Sequence, residues 1–209
     1  MELEKSLHHS SPWARFFQLL AVLYIFVFML TSQFGFHFVF IENGTSWFGR
    51  SLLHISDVSK IKNTGSGDTL YDYVLILESL ILTCFLAILV MIADRRRQSY
   101  RQLCLFTIVI ARYYVAYTML NYGFAKIFNG QFPINGYRRL EEKVGDMSPM
   151  GIVWTFMGAS RSYTFISGLL ECTGGMLLLF RKIKTFGALF ALTVMTNVAL
   201  LNYNYDVPV

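Results

Sequence analysis

Charge is scarce in this sequence. Asp, Glu, Lys and Arg make up 15% of its 209 residues, whereas soluble domains carry about 25%, and the shortfall points to a bilayer. Cysteine is scarce as well. Cys84, Cys104 and Cys172 are an odd number, contain no CxxC pair and all fall inside apolar runs. That argues against a disulfide framework or a thioredoxin-like redox centre and for buried thiols acting as small hydrophobes. The sequence has no GxGxxG fingerprint, Walker motif, nucleophile constellation or metal-ligand spacing, so nothing supports a stand-alone enzyme. It also has no histidine pair in facing apolar segments for haem and no cysteine cluster for iron–sulfur. No resident cofactor or metal is evident.

What is present is apolar and aromatic. Hydrophobic residues reach 55%, and the 19 Phe, 12 Tyr and 3 Trp suit lipid-facing surfaces and interfacial belts. The net charge of +5 does not point to nucleic acid, because the positive residues gather at the ends of the hydrophobic segments. The partner that composition implies is the lipid bilayer.

In order along the chain, a long apolar run covers residues 13–41, interrupted by Arg15, Gln18, Ser32, Gln33 and His37. At about 1.5 Å per residue it exceeds a hydrocarbon core of about 30 Å, so it reads as a first, tilted span. Residues 42–70 read as an outer loop, with turn chemistry at Asn43-Gly44-Thr45 and Asn63 to Asp68. A short amphipathic helix is expected around Trp47 to His54. Further spans are expected over 71–93, 103–128, 162–180 and 186–201. The fold class is all-α, a polytopic transmembrane bundle of about five spans forming a single membrane domain.

Orientation follows from the short basic turns. Arg95, Arg96, Arg97 and Arg101 separate the second and third spans; Arg181, Lys182 and Lys184 separate the fourth and fifth. Both turns are expected in the cytoplasm together with the N-terminus, leaving the C-terminus outside.

The connector 129–161 reads as more than a loop. Ser148-Pro149 opens a helix, with serine as cap and proline at the first position. The apolar stretch that follows, including Trp154, is too short to span. It is expected to lie in the interface or to re-enter, with Ser148, Pro149 and Trp154 as lid candidates over a polar centre.

That centre is expected around Arg112 and Glu171, each in the middle of an apolar run, where a charge is expensive and needs a partner. Counted from the basic ends of their spans, Arg112 lies about 14 Å and Glu171 about 15 Å into the bilayer, so their depths match. Lys126 shares Arg112's side of its helix. Glu78, Asn197 and Tyr122 are further candidates for the same centre. Three possibilities stand open: a structural ion pair, a ligand or proton site, and no pairing at all.

Several stretches also resemble a known family. Tyr122-Gly123-Phe124-Ala125-Lys126, Ser148-Pro149-Met150, Trp154 to Ser160 and Gly168-Leu169-Leu170-Glu171-Cys172-Thr173-Gly174-Gly175 are similar to the DoxX-like bacterial membrane proteins. So are Arg181-Lys182 and the end from Asn197 to Val209. The likeness runs from about Arg112 onward, so the first span and its loop look like an added element. The resemblance implies a four-helix core in the bacterial cytoplasmic (inner) membrane and, for some members, quinone-linked oxidation of sulfur compounds. Longer relatives continue past the Asp-Val-Pro-Val end, which implies a fragment or a split form here.

Three functions compete. One is a redox membrane subunit that meets quinone, with electrons carried by a membrane or soluble partner chain. The second is a transporter or binding protein for a small anionic or lipidic molecule. The third is a non-catalytic accessory or assembly protein.

Overall fold

The computed structural model describes residues 11–32, 39–55, 69–132 and 136–207. They form helices α1 (Pro12–Ser32), α2 (Val39–Ser51), α3 (Leu70–Ala93), α4 (Arg101–Ile127), α5 (Tyr137–Glu141), α6 (Pro149–Ala159), α7 (Arg161–Leu179) and α8 (Lys184–Asn204). A 3-10 turn at Val144–Asp146 precedes α6, and there is no strand among the described residues. Among the described residues, five helices are long and apolar enough to cross a membrane: α1, α3, α4, α7 and α8. At 11 residues, α6 reaches only about 16 Å, half of a hydrocarbon core.

The chain forms two compact units. The first comprises the described residues of Met1–Lys60 and Thr69–Ala111, the second those of Arg112–Val209. The division falls inside α4.

In the first unit, α1 packs along α3. Leu19, Ala87 and Tyr100 form a buried cluster, with Phe16, Leu23, Met91 and Leu103 around it. Polar links tie the start of α1 to the basic turn. Arg15 Nη1 donates to the Arg97 carbonyl at 2.8 Å, and the Tyr100 N–H donates to Gln18 Oε1 at 3.0 Å.

Here the sequence reading needs correction. The expected span over 13–41 is helical over Pro12–Ser32 and again from Val39, with residues 33–38 outside the described residues, and α2 runs on to Ser51 through the start of the expected outer loop. The supposed turn Asn43-Gly44-Thr45 lies inside α2. Local turn propensity loses because α2 packs on α3, where the fully buried Thr45 donates its hydroxyl to Glu78 Oε2 at 2.6 Å. Satisfying a carboxylate on an apolar helix outweighs the preference of an Asn-Gly pair for a turn. The second turn motif, Asn63 to Asp68, lies outside the described residues.

In the second unit, α7 and α8 pack as an antiparallel pair at close range. A Cβ on Gly187 would fall 2.8 Å from the Leu177 carbonyl carbon, and one on Gly174 would fall 3.6 Å from Ala191 Cα. The last four turns of α4 join them through Ala116 and Met119, which cluster with Leu178 and Ala191. Such small-residue contacts are how membrane helices approach without a hydrophobic driving force between them. Helix α6 turns directly into α7 at Ser160. Its hydroxyl accepts the Tyr163 N–H at 3.3 Å, and buried Thr164 donates to the Met157 carbonyl at 2.6 Å.

Candidate functional site: a buried Lys126–Glu171 pair

Glu171 is 2% exposed and Lys126 5% exposed. They form an ion pair, Lys126 Nζ donating to Glu171 Oε1. Each helix supplies its partner for a local reason. Lys126 occupies the last turn of α4, where a cation complements the negative end of the helix dipole. The helix stops just beyond it, at Asn129, which takes a left-handed φ of 54°. The Gly130 N–H then turns back to the Ala125 carbonyl at 2.7 Å. Glu171 sits at the centre of α7 on its glycine face, between Gly168 and Gly174.

The glycines set the geometry. A Cβ on Gly123 would come within 2.7 Å of the Gly168 carbonyl oxygen and 2.6 Å of Cys172 Sγ. One on Gly168 would fall 2.6 Å from the Gly123 carbonyl oxygen. The α4 and α7 backbones are therefore in contact one turn from the ion pair. Further along the seam, Gly174 faces Met119, and Gly175 faces Ala116 and Leu120.

That register overturns the expected Arg112–Glu171 pairing. Moving back along α4 from Gly123 to Ala116 moves forward along α7 from Gly168 to Gly175. One further turn sets Arg112 level with Leu179 at the end of α7, about 12 Å along the axis from Glu171. The error lay in aligning the two spans at their basic ends. Helix α4 has 27 residues and α7 has 19, so counting depth from those ends misplaces the longer helix by about two turns. Arg112 instead lies over the Tyr113 ring, 4.7 Å from its centroid, and its buried Nε has no hydrogen-bond partner.

Of the six residues expected at one polar centre, the structure brings together Lys126 and Glu171. Asn197 and Tyr122 are exposed on α8 and α4. Glu78 belongs to the first unit, bonded to Thr45. The lid candidates have structural partners: the Ser148 hydroxyl accepts the Gly151 N–H at 3.1 Å, and Pro149 is at the first turn. Trp154 meets Phe132 edge-on at 5.0 Å.

The signal that could have found the pair was in the sequence. Gly123 and Gly168 each precede a charge by three positions and mark where the helices cross. Because the helices are antiparallel, Lys126 and Glu171 leave that crossing on opposite sides, and the long Lys126 side chain, rooted against Gly168, spans back to Glu171. One atom of the pair stands unpartnered. Glu171 Oε2 is buried without a hydrogen-bond partner, so the carboxylate meets its lysine through one oxygen only.

No family model matches this sequence, and no solved structure matches it. The chain is similar to the uncharacterized protein YwoB of Bacillus subtilis (strain 168), with 32% identity over 98 residues, or 47% of this chain. The matched stretch covers 62% of YwoB's own length, less than two thirds of that relative.

Proposed function

We propose that this chain is a DoxX-like integral protein of a bacterial cytoplasmic membrane that acts as a non-catalytic accessory or assembly subunit for a quinone-linked redox partner. The five apolar helices and the basic turns between α3 and α4 and between α7 and α8 support insertion with the N-terminus in the cytoplasm and the C-terminus outside. Two of the stretches that resemble the DoxX-like family, Tyr122–Lys126 and Gly168–Gly175, face each other across one seam. Their shared pattern of glycine and charge therefore has a common structural cause.

The observation that carries the accessory role is backbone contact at Gly123 and Gly168 beside the buried pair. Helices in backbone contact at that crossing leave no thickness for a flat ring between them one turn from Lys126 and Glu171. No redox step is assigned to either residue, and electrons and quinone chemistry belong to the partner chain. A buried ion pair adds little net stability over an apolar pair of similar volume, but removing one member costs about 3–5 kcal/mol. Its contribution is to satisfy two buried charges at the register that the glycine contacts set.

The test compares Lys126→Met, Glu171→Met, the double variant and Arg112→Met in cells and in detergent. Each single change at the pair should sharply reduce membrane abundance. The double variant should recover it with partner assembly and quinone-linked activity intact, and Arg112→Met should match the parent protein. A double variant that folds and accumulates yet loses quinone-linked activity, or loses quinone that co-purifies with the parent protein, would overturn the accessory role in favour of a redox site.

A further inference from the structure

The first unit carries an apolar cavity of about 480 Å³, within the range of about 300–1,000 Å³ typical of small-ligand sites. One wall is the first turn of α1, through Pro12, Trp13 and Phe16. The other is the last two turns of α3, where Ile88, Met91 and Ile92 follow the spacing of a single helical face. Arg95 continues that row just past the helix end and is the charged residue of the lining.

The arginines around it differ in what they do. Arg15 is bonded to the Arg97 carbonyl. Arg97 stands 3.7 Å from Asp94 and lies over the Tyr100 ring at 5.1 Å. Arg95 is exposed and makes no ion pair or hydrogen bond among the described residues. An apolar trough thus ends at a free guanidinium within the basic run Arg95-Arg96-Arg97.

We propose that this groove seats an acyl chain of an anionic phospholipid from the bilayer, with Arg95 holding its phosphate. The chemistry selects the headgroup rather than the tail. Lipid tails are already as apolar as leucine, so an acyl chain gains little by moving from bilayer to protein wall. A planar guanidinium matches phosphate oxygens through paired hydrogen bonds. Near a membrane surface, one arginine enriches anionic lipid by about five-fold. The proposal rests on the first unit alone and is independent of the role assigned to Lys126 and Glu171.

Trp13, 74% exposed in the groove wall, is a built-in reporter. In the full chain carrying Trp47→Phe and Trp154→Phe, its fluorescence can be followed in phosphatidylcholine vesicles doped with brominated phosphatidylglycerol or brominated phosphatidylcholine. The brominated anionic lipid should quench Trp13 about five-fold more than its mole fraction predicts, and the brominated zwitterionic lipid only in proportion. Arg95→Gln should abolish the preference, Arg96→Gln should keep it, and soluble glycerol phosphate should leave the quenching unchanged. The proposal is overturned by equal quenching from both lipids, by a preference that survives Arg95→Gln, or by Arg96→Gln acting as strongly. Relief of quenching by glycerol phosphate would also overturn it, by reducing the groove to a headgroup-only anion site. Native mass spectrometry provides a tryptophan-independent readout. The parent protein should retain anionic phospholipid through purification and Arg95→Gln should lose it; equal retention overturns the proposal.

Discussion

Replacing Gly123 with alanine tests whether α4 and α7 meet through their backbones. In an isolated helix the change stabilises by about 1 kcal/mol, because alanine loses less chain entropy than glycine. In the seam, the new methyl would lie 2.6 Å from Cys172 Sγ, 2.7 Å from the Gly168 carbonyl oxygen and 2.9 Å from the Cys172 nitrogen. Ordinary heavy-atom contacts lie near 3.5–4.0 Å, so the helices must separate by about 1 Å. Overpacking of this kind costs about 1–3 kcal/mol. Separation also strains the ion pair one turn away, so the loss should exceed the propensity gain. The expected outcome is a net destabilisation of up to about 2 kcal/mol, read as a lower midpoint of unfolding in detergent. Two backbone atoms remain in the way when the thiol is removed, so Cys172→Ala in the same chain should restore less than half of the loss. Gly145→Ala, where a Cβ meets nothing within 4 Å, should stay within about 0.5 kcal/mol of the parent. Full rescue by Cys172→Ala, or a Gly123→Ala protein more stable than its parent, would refute the backbone contact.

Other outcomes follow from single interactions. Thr45→Val keeps the shape of the buried side chain but removes the 2.6 Å bond to Glu78; it should cost about 1.5–3 kcal/mol in the first unit, and Thr45→Ser should recover most of it. Ser148→Ala removes the cap of α6 and should cost about 1 kcal/mol, seen as faster hydrogen exchange at the Gly151 amide. Burial, and secondarily the Asp94 carboxylate, push the Tyr100 phenol above its ordinary value. Because the folded protein holds that proton more tightly than the unfolded chain, this contribution is full below about pH 10. It is lost as pH rises through the folded value, and Tyr100→Phe should remove that alkaline dependence from the unfolding midpoint.

The elements legible in the sequence are those whose cause is local. The expected span over 71–93 is the helix Leu70–Ala93, and that over 162–180 is Arg161–Leu179, because mostly apolar runs flanked by basic or polar residues mark their own ends. Ser148-Pro149 opens α6 for an equally local reason, a hydroxyl three residues from the amide it caps. The elements misread were those decided by a distant residue. Asn43-Gly44-Thr45 looks like a turn until Glu78, 33 positions away, is there to be satisfied.

The charge pair shows the same division. Sequence alone determined the all-helical class of the described residues, the five helices among them long and apolar enough to cross a bilayer, and the need of Glu171, in an apolar run, for a cationic partner. Which cation it meets was decided only in the tertiary structure. Helical periodicity fixes the face on which a residue lies, but not how far one helix slides along another. That axial offset was set by Gly123 and Gly168, whose missing side chains let two backbones touch at one height, bringing Lys126 to Glu171 and leaving Arg112 against Tyr113.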